Sequence, residues 1–571
     1  MNEVKEQALD EVEAIKAESR ALRGNLHIGL EDEVSGGIQE SDTKLIKFHG
    51  IYEQDDRDVR GERRKAKLEP LYSYMLRVRV PGGVLSSGQW KQLDSLAREY
   101  ANGSLRLTTR QAVQFHGIYK ENLRPLVRGL DAVMLDSIAA CGDVNRNVMC
   151  SPNPHLSHLH GEVQHISERL SRELLPESRA YHELWLEGRD SGSVGEVEPL
   201  YGPTYLPRKF KIAVAVPPVN DVDVLAHDVG FIAIAEGGHL AGFNVSVGGG
   251  LGMSHDVADT HPRLADVIGF CPPQSAVAVA EAVISIQRDY GNRRNRKRSR
   301  LKYTIEDRGL DWFRNELSWR LREELAPARA WSFEHNGDRY GWVQGEDARW
   351  HLTLFVENGR LRDKALDGLL ALAEQQPDIH IRLTPNQNLI IAGASDQQKF
   401  EIDLLLGDYG LLRHEKVSRL RLNAMACVAF PTCPLAMAEA ERYLPELVGK
   451  VEALQEKHGI AQRAITLRMT GCPNGCARPY LAEIGLIGKG PGRYNLHLGA
   501  AFNGNRLNRI YRENADEGGI LSTLDTLFAR FSREAGDNEA FGDFLIRTGV
   551  VLPVKQGKEV REHEQHKATG T

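Results

Sequence analysis

The sequence predicts an α+β fold made by internal duplication, with two halves related by a pseudo-two-fold, and two observations predict it. The first is a local pattern. Residues Met75–Leu85, MLRVRVPGGVL, alternate as a strand does, Gly88–Tyr100 has helical spacing, and SLRLTT from Ser104 reads as a second strand. The second is recurrence: HLTLFVENGRL at His351 repeats the first strand, and IRLTPNQNLIIAG at Ile381 repeats LRLTTRQAVQFHG at Leu105. Thr353 lies 276 residues after Arg77, and Arg382 lies 276 after Arg106, so both matches share one register. A further echo, GFNVSVGG at Gly242 against RYNLHLGA at Arg493, has an offset of 251. Two copies are too few for a solenoid. A duplicated core of this kind places its ligand where the halves meet.

A chain of 571 residues corresponds to about three domains of ordinary size. Residues 1–73, helical in spacing to Arg23 and then polar through DDRDVRGERRKAK, read as an extended arm. Residues 74–139 and 346–415 are the duplicated strand–helix–strand modules. Residues 140–345 and 416–571 are the second module of each half, the latter ending in the polar tail VKQGKEVREHEQHKATGT.

Net charge is −6, with 72 Lys and Arg against 78 Asp and Glu, which disfavours bulk nucleic-acid binding. The opening segment, MNEVKEQALDEVEAIKAESRALRG, is charged throughout and lacks the apolar core of a signal peptide, so the chain is expected in the cytoplasm. No apolar run approaches the ~20 residues that span a bilayer.

Seven cysteines in a reducing compartment point to metal or catalysis rather than disulfides. Four of them are clustered: Cys427 and Cys433 in MACVAFPTCP, Cys472 and Cys476 in TGCPNGCARP. Four thiolates on tight Pro- and Gly-containing loops suit a cubane iron–sulfur cluster. Structural zinc usually takes narrower pairs than C-x5-C, yet zinc and unligated core cysteines both remain open from spacing alone. Cys141, Cys150 and Cys271 are isolated and read as core or surface residues.

Basic residues at period two mark one strand face each: Arg77 with Arg79 in MLRVRV, and Lys209 with Lys211 in RKFKIAVAV. Such a pair is either a solvated face or half of an anion site. The glycine runs VGGGLG at Val247 and GKGPG at Gly488 fail the dinucleotide fingerprint and read as tight turns.

TGCPNGCARPYLAEIGL and ACVAFPTCPLAMAEAERYLP together resemble the cluster and siroheme signature of the nitrite and sulfite reductase hemoprotein family. The resemblance runs from FHGIYEQDDRDVRGERRKAKLEP near Lys47 to FGDFLIRTGV at Phe541, and is closest to hemoproteins of the NADPH-dependent sulfite reductases. It implies ferredoxin-like half-domains at 74–139 and 346–415, a siroheme-binding mixed-sheet domain at 140–345, and an iron–sulfur and siroheme domain at 416–571. It implies one 4Fe-4S cluster on Cys427, Cys433, Cys472 and Cys476, with Cys476 also the axial ligand of one siroheme. Ala477, a position where the family varies, carries no weight.

Arg77, Arg146, Lys209 and Lys211 match the family's sulfite-binding cations. Because guanidinium does not deprotonate in proteins, the lysines are the expected proton donors. Arg106, Arg110, Gln114, His116, Arg300 and Asn474 match siroheme contacts. In the duplicate, Thr353 stands for Arg77 and Asn386 for Arg110, so one active site per chain is expected. The implied activity is six-electron reduction of sulfite to sulfide. With no flavin or nicotinamide motif in the chain, electrons come from an NADPH-oxidising flavoprotein carrying FAD and FMN, in a hetero-oligomer for which the N-terminal arm is a docking element. Siroheme nitrite reductase and ferredoxin-dependent sulfite reductase are the neighbouring readings, and a noncatalytic iron–sulfur or zinc scaffold the distant one.

Overall fold

The computed structural model describes residues 8–190, 192 and 196–562. Its strands fall into four runs along the chain. The first is β1 (Ile51–Asp55), β2 (Tyr72–Val78), β3 (Val84–Ser86), β4 (Leu105–Leu107) and β5 (Val113–Ile118). The second is β6 (Met149–Cys150), β7 (Ile212–Ala215), β8 (Val229–Glu236), β9 (His239–Val247) and β10 (Asp266–Cys271). The third is β11 (Gly341–Gln344), β12 (Trp350–Leu354), β13 (Arg360–Leu361), β14 (His380–Leu383) and β15 (Leu389–Ala394). The last is β16 (Ala424–Ala426), β17 (Leu467–Thr470), β18 (Ile484–Gly490), β19 (Arg493–Leu498) and β20 (Arg509–Ala515).

These make four five-stranded sheets that repeat two designs. Two sheets have the orders β1-β2-β5-β4-β13 and β11-β12-β15-β14-β3, so each borrows its last strand from the other copy. The other two run β6-β7-β8-β9-β10 and β16-β17-β18-β19-β20, parallel through the first three strands and antiparallel thereafter. The expected α+β duplication is therefore present twice over.

Local chemistry fixes the repeated helices. Ser86 caps the helix Ser87–Tyr100 by accepting the Gln89 N–H while the Gln89 side chain accepts the Ser86 N–H, a reciprocal capping box. Trp90, Leu93, Leu96 and Ala97 are its buried stripe. The matching helix in the second copy, Asp363–Gln375, buries Leu366, Leu369, Leu372 and Ala373.

The chain divides into two compact units. One comprises Met1–Gly249, Ala265–Ser332 and Gly337–Glu415, and holds the first three sheets; the other comprises Gly250–Leu264, Phe333–Asn336 and Lys416–Thr571, and holds β16 to β20. Each has its own apolar core, the first including Leu76, Val113, Phe231 and Ile391, the second Leu467, Leu486, Phe528 and Phe544.

From residue 8 the N-terminal segment is packed into the first unit. Lys16 is buried, donating to Glu13 Oε1 at 2.6 Å and Leu206 O at 2.8 Å, and buried Arg23 donates to Glu183 Oε2 at 2.8 Å. β1 pairs with β2 along its length. At the other end Val560 is buried and Arg561 Nη2 donates to Ser254 O at 3.1 Å within the second unit. The rest of the C-terminal tail, 563–571, lies outside the described residues. No helix of the described residues is long and apolar enough to cross a membrane.

Candidate active site

In the first unit the register of one sheet builds a polar row. Arg77 on β2 pairs with Gln114 on β5, Gln114 with Arg106 on β4, and Arg106 with Arg360 on β13. Directly opposed residues share a face, and His116, two residues from Gln114 on β5, shares it too. His116 is buried and neither ring nitrogen has a hydrogen-bond partner. Burial, then the charges of Arg360, Arg106 and Arg77, hold its imidazole well below the ordinary range, so it is neutral at pH 7.

Arg77 Nη1 donates to Cys141 Sγ at 3.0 Å and Ala140 O at 3.3 Å, while its Nε is buried without a partner. Arg79, the other half of the period-two pair, is committed to Asp136 through Nε at 2.8 Å and through Nη2, so only Arg77 contributes a cation here.

The remaining cations come from a second local construction. Phe210 N donates to Val144 O, and Arg146 N to Phe210 O, both at 3.1 Å, which sets Lys209 and Lys211 beside Arg146. Arg146 Nη2 donates to Gly142 O at 3.1 Å. Arg110 donates to Asn147 O, and the Asn147 amide donates to Val80 O and Arg110 O at 2.9 Å, pinning the turn after β4. Lys211 is pushed well below the ordinary lysine range by burial, then by Arg110, Lys209, Arg300 and Arg146. An ammonium so placed gives up its proton readily and gains from a nearby anion. Arg110, Arg146 and Lys209 thus converge on Lys211.

Arg300 differs. It is buried in a two-point ion pair with Asp228, Nε to Oδ1 at 3.1 Å and Nη2 to Oδ2 at 2.7 Å. Its charge reaches Lys211 and Lys302, but its fork is already occupied by a carboxylate of this chain.

The second unit carries the thiols. Cys427 follows β16, and Cys472 and Cys476 follow β17, strands paired in parallel, so their C-terminal ends deliver both loops to one side. Cys427 N donates to Met469 O at 3.2 Å, and Gly471 N donates to Cys427 Sγ at 3.3 Å. Gly471 and Gly488 are obligatory: a Cβ on Gly488 would lie 2.4 Å from Gly471 O, and one on Gly471 2.6 Å from Ala438 O. Burial first, then the proximity of Cys476, Cys433 and Cys472, pushes the Cys427 thiol well above its usual range. Cys433, Cys472 and Cys476 are therefore all within electrostatic reach of Cys427, and none of the four is in a disulfide. Asn474 lies in the Cys472–Cys476 loop, its carbonyl 3.2 Å from where a Cβ on Gly252 would be.

Both donor sets fit an iron–sulfur cluster and an anionic tetrapyrrole. Four converging thiols with a backbone N–H aimed at sulfur suit a thiolate-bound cluster. A buried, unpartnered imidazole beside a row of guanidinium and amide groups suits a carboxylate-rich ring.

Four residues at this site were not singled out from sequence. Arg360 joins the row only through the exchanged strand. Lys302 is buried, and burial and then Arg300 push it well below the lysine range. Tyr52 and Cys141 lie together beside Arg77 and Arg146, where burial, then Cys141, raises the Tyr52 phenol. Cys141, isolated in sequence, is a partner of Arg77.

Comparison with known proteins identifies the family. The family model described as nitrite/sulfite reductase ferredoxin-like half domain matches residues 67–133 and 343–408, and the nitrite and sulphite reductase 4Fe-4S domain matches 167–325. The latter stretch holds only Cys271, whereas the clustered cysteines are in the second copy of the same sheet design. The chain is 57% identical to the sulfite reductase (NADPH) hemoprotein beta-component of Myxococcus xanthus, over 95% of this chain and 97% of that one. The same-named proteins of Oceanobacillus iheyensis and Geobacillus kaustophilus are 53% and 54% identical, over 98% and 96% of this chain and 97% of each. The solved structure of the Mycobacterium tuberculosis NirA protein superposes with a TM-score of 0.77 at 27% identity, covering 96% of this chain and 97% of that one. Sequence, sheet design and thiol geometry agree, and the chain belongs to the nitrite and sulfite reductase hemoprotein family.

Proposed function

We propose that the chain is the catalytic hemoprotein subunit of an assimilatory sulfite reductase, reducing sulfite to sulfide in the cytoplasm with electrons from an NADPH-oxidising flavoprotein. The observation that carries this reading is the conjunction, in one chain, of four converging thiols with the Arg77–Gln114–Arg106–Arg360 row. Cys427, Cys433, Cys472 and Cys476 would hold a 4Fe-4S cluster, with Cys476 also ligating siroheme iron. Arg106, Arg110, Gln114, His116 and Asn474 would hold the ring. Arg300 would act more by charge than by direct grip, since Asp228 already takes its fork. When bound, the two groups together supply stored electrons and an iron that takes the sulfur of the substrate.

The chain's own residues do the rest. Arg77 and Arg146 hold a small dianion by fixed charge in a water-poor site, where such interactions are strongest. Six electrons take sulfite to sulfide, and its three oxygens leave as water, so protons must arrive close to each S–O bond. Lys211, depressed by burial and by four neighbouring cations, is placed to give one, and Lys209 beside it to give another.

The family models are described as covering nitrite as well as sulfite reductases, which leaves a second reading, a nitrite-reducing or ferredoxin-dependent enzyme, because the same cations suit nitrite. Turnover of sulfite and nitrite, each with a flavoprotein and with a ferredoxin donor, separates them. Preference for sulfite with the flavoprotein is expected; preference for nitrite, or for ferredoxin, would replace the proposal.

A further inference from the structure

The geometry points to a divalent transition-metal site in the first unit, on His158, Glu162 and His239, binding a zinc-class cation. One ligand atom from each of the three residues lies within 4.8 Å of the other two. The site is built from two elements. His158 and Glu162 are one turn apart on the helix His158–Glu173, so both face the same way. His239 is the first residue of β9.

The elements are held in register by the residues themselves. Leu240 N donates to Glu162 Oε2 at 2.9 Å, which latches the carboxylate to β9 and leaves its other oxygen for a cation. His158 N donates to Glu346 Oε2 at 2.7 Å, fixing the start of the helix. The His158 and His239 rings meet edge to face, with centroids 4.8 Å apart, and His158 Nε2 is 3.8 Å from Glu162 Oε2. A tetrahedral ion with bonds of about 2.0–2.1 Å needs ligand atoms roughly 3.3 Å apart. Small rotations of exposed side chains close that gap.

The donor set selects the ion. Two imidazoles and a carboxylate suit zinc, cobalt or nickel; calcium and magnesium prefer all-oxygen shells, and copper(I) prefers sulfur. Three protein ligands leave a coordination position open. His158 and Glu162 line a cleft of about 630 Å³, together with His155, His165, Glu346, Asp347 and Leu240, the neighbour of His239 on β9.

The test is equilibrium dialysis of the holoenzyme against zinc alone, at low-micromolar free metal, with elemental analysis of zinc and iron in the same samples. The expected result is one zinc per chain with iron content unchanged. His158→Ala and His239→Ala should weaken uptake by roughly tenfold or more, and His182→Ala, at an exposed histidine outside the triad, should not. Retained iron in each variant shows that the fold is intact. Equal uptake by wild type and His239→Ala, no uptake by wild type, or zinc gained only as iron is lost would each overturn the site.

Discussion

Arg77 and Thr353 occupy the same place in two copies of one sheet: Arg77 on β2 pairs with Gln114, and Thr353 on β12 pairs with Ile390. The first row continues to Arg106 and Arg360, the second to Arg382 and Val84. The backbone design is kept, but Arg77, Gln114 and Arg360 give way to Thr353, Ile390 and Val84, so of the first row's cations only Arg106 has a counterpart, Arg382, and the first copy is the one expected to bind a small dianion. Arg77→Thr, which gives the first row the residue of the second, is expected to lower kcat/KM for sulfite on the order of a hundredfold. Absorption and iron content should be unchanged. Thr353→Arg should leave kcat/KM where it was, as steady-state kinetics will read.

Lys211 is expected to donate a proton, which an arginine cannot do. Lys211→Arg keeps the charge and removes the acid, so kcat should fall on the order of a hundredfold or more while KM for sulfite changes little. A variant that lost KM and kept kcat would instead make Lys211 an anion holder.

The Arg300–Asp228 pair is buried on both sides. Arg300→Met strands the Asp228 carboxylate, and the expected cost is about 3–5 kcal/mol in urea unfolding of the protein. An unchanged unfolding midpoint would mean that the pair does not carry that part of the first unit.

His49 sets a pH limit on stability. Burial lowers its imidazole to about 4, and Nε2 donates to Leu22 O at 3.1 Å. Because the folded value lies below the usual value of about 6.5, this contribution is complete above pH 6.5 and is lost as pH falls toward 4, by about 3 kcal/mol. His49→Gln keeps a donor and removes the titration. Its unfolding midpoint should therefore depend less on pH between 7 and 4.5 than that of the wild type.

Much of this was legible in the sequence. The constant offset between Arg77 and Thr353 and between Arg106 and Arg382 holds in the paired sheets, since alternation and helix caps are local signals. The exchange of β3 and β13 was not legible: strands of three and two residues carry no period, and their partners are far along the chain. Arg360 was missed for that reason. Tyr52 and Cys141 were missed because they meet only through folding, and no spacing links them. The N-terminal segment read as an arm because its charges look solvated, yet Lys16 and Arg23 find buried partners at Leu206 and Glu183. The cysteine loops could be read because short spacings sit at the ends of neighbouring parallel strands.

The most direct test of the central claim is the absorption spectrum of the purified protein together with iron and acid-labile sulfide analysis. Siroheme bands with about five irons per chain, the four of a cubane and one more, are the predicted result. Zinc on the cysteines and no chromophore, in protein from cells able to make siroheme, would contradict it.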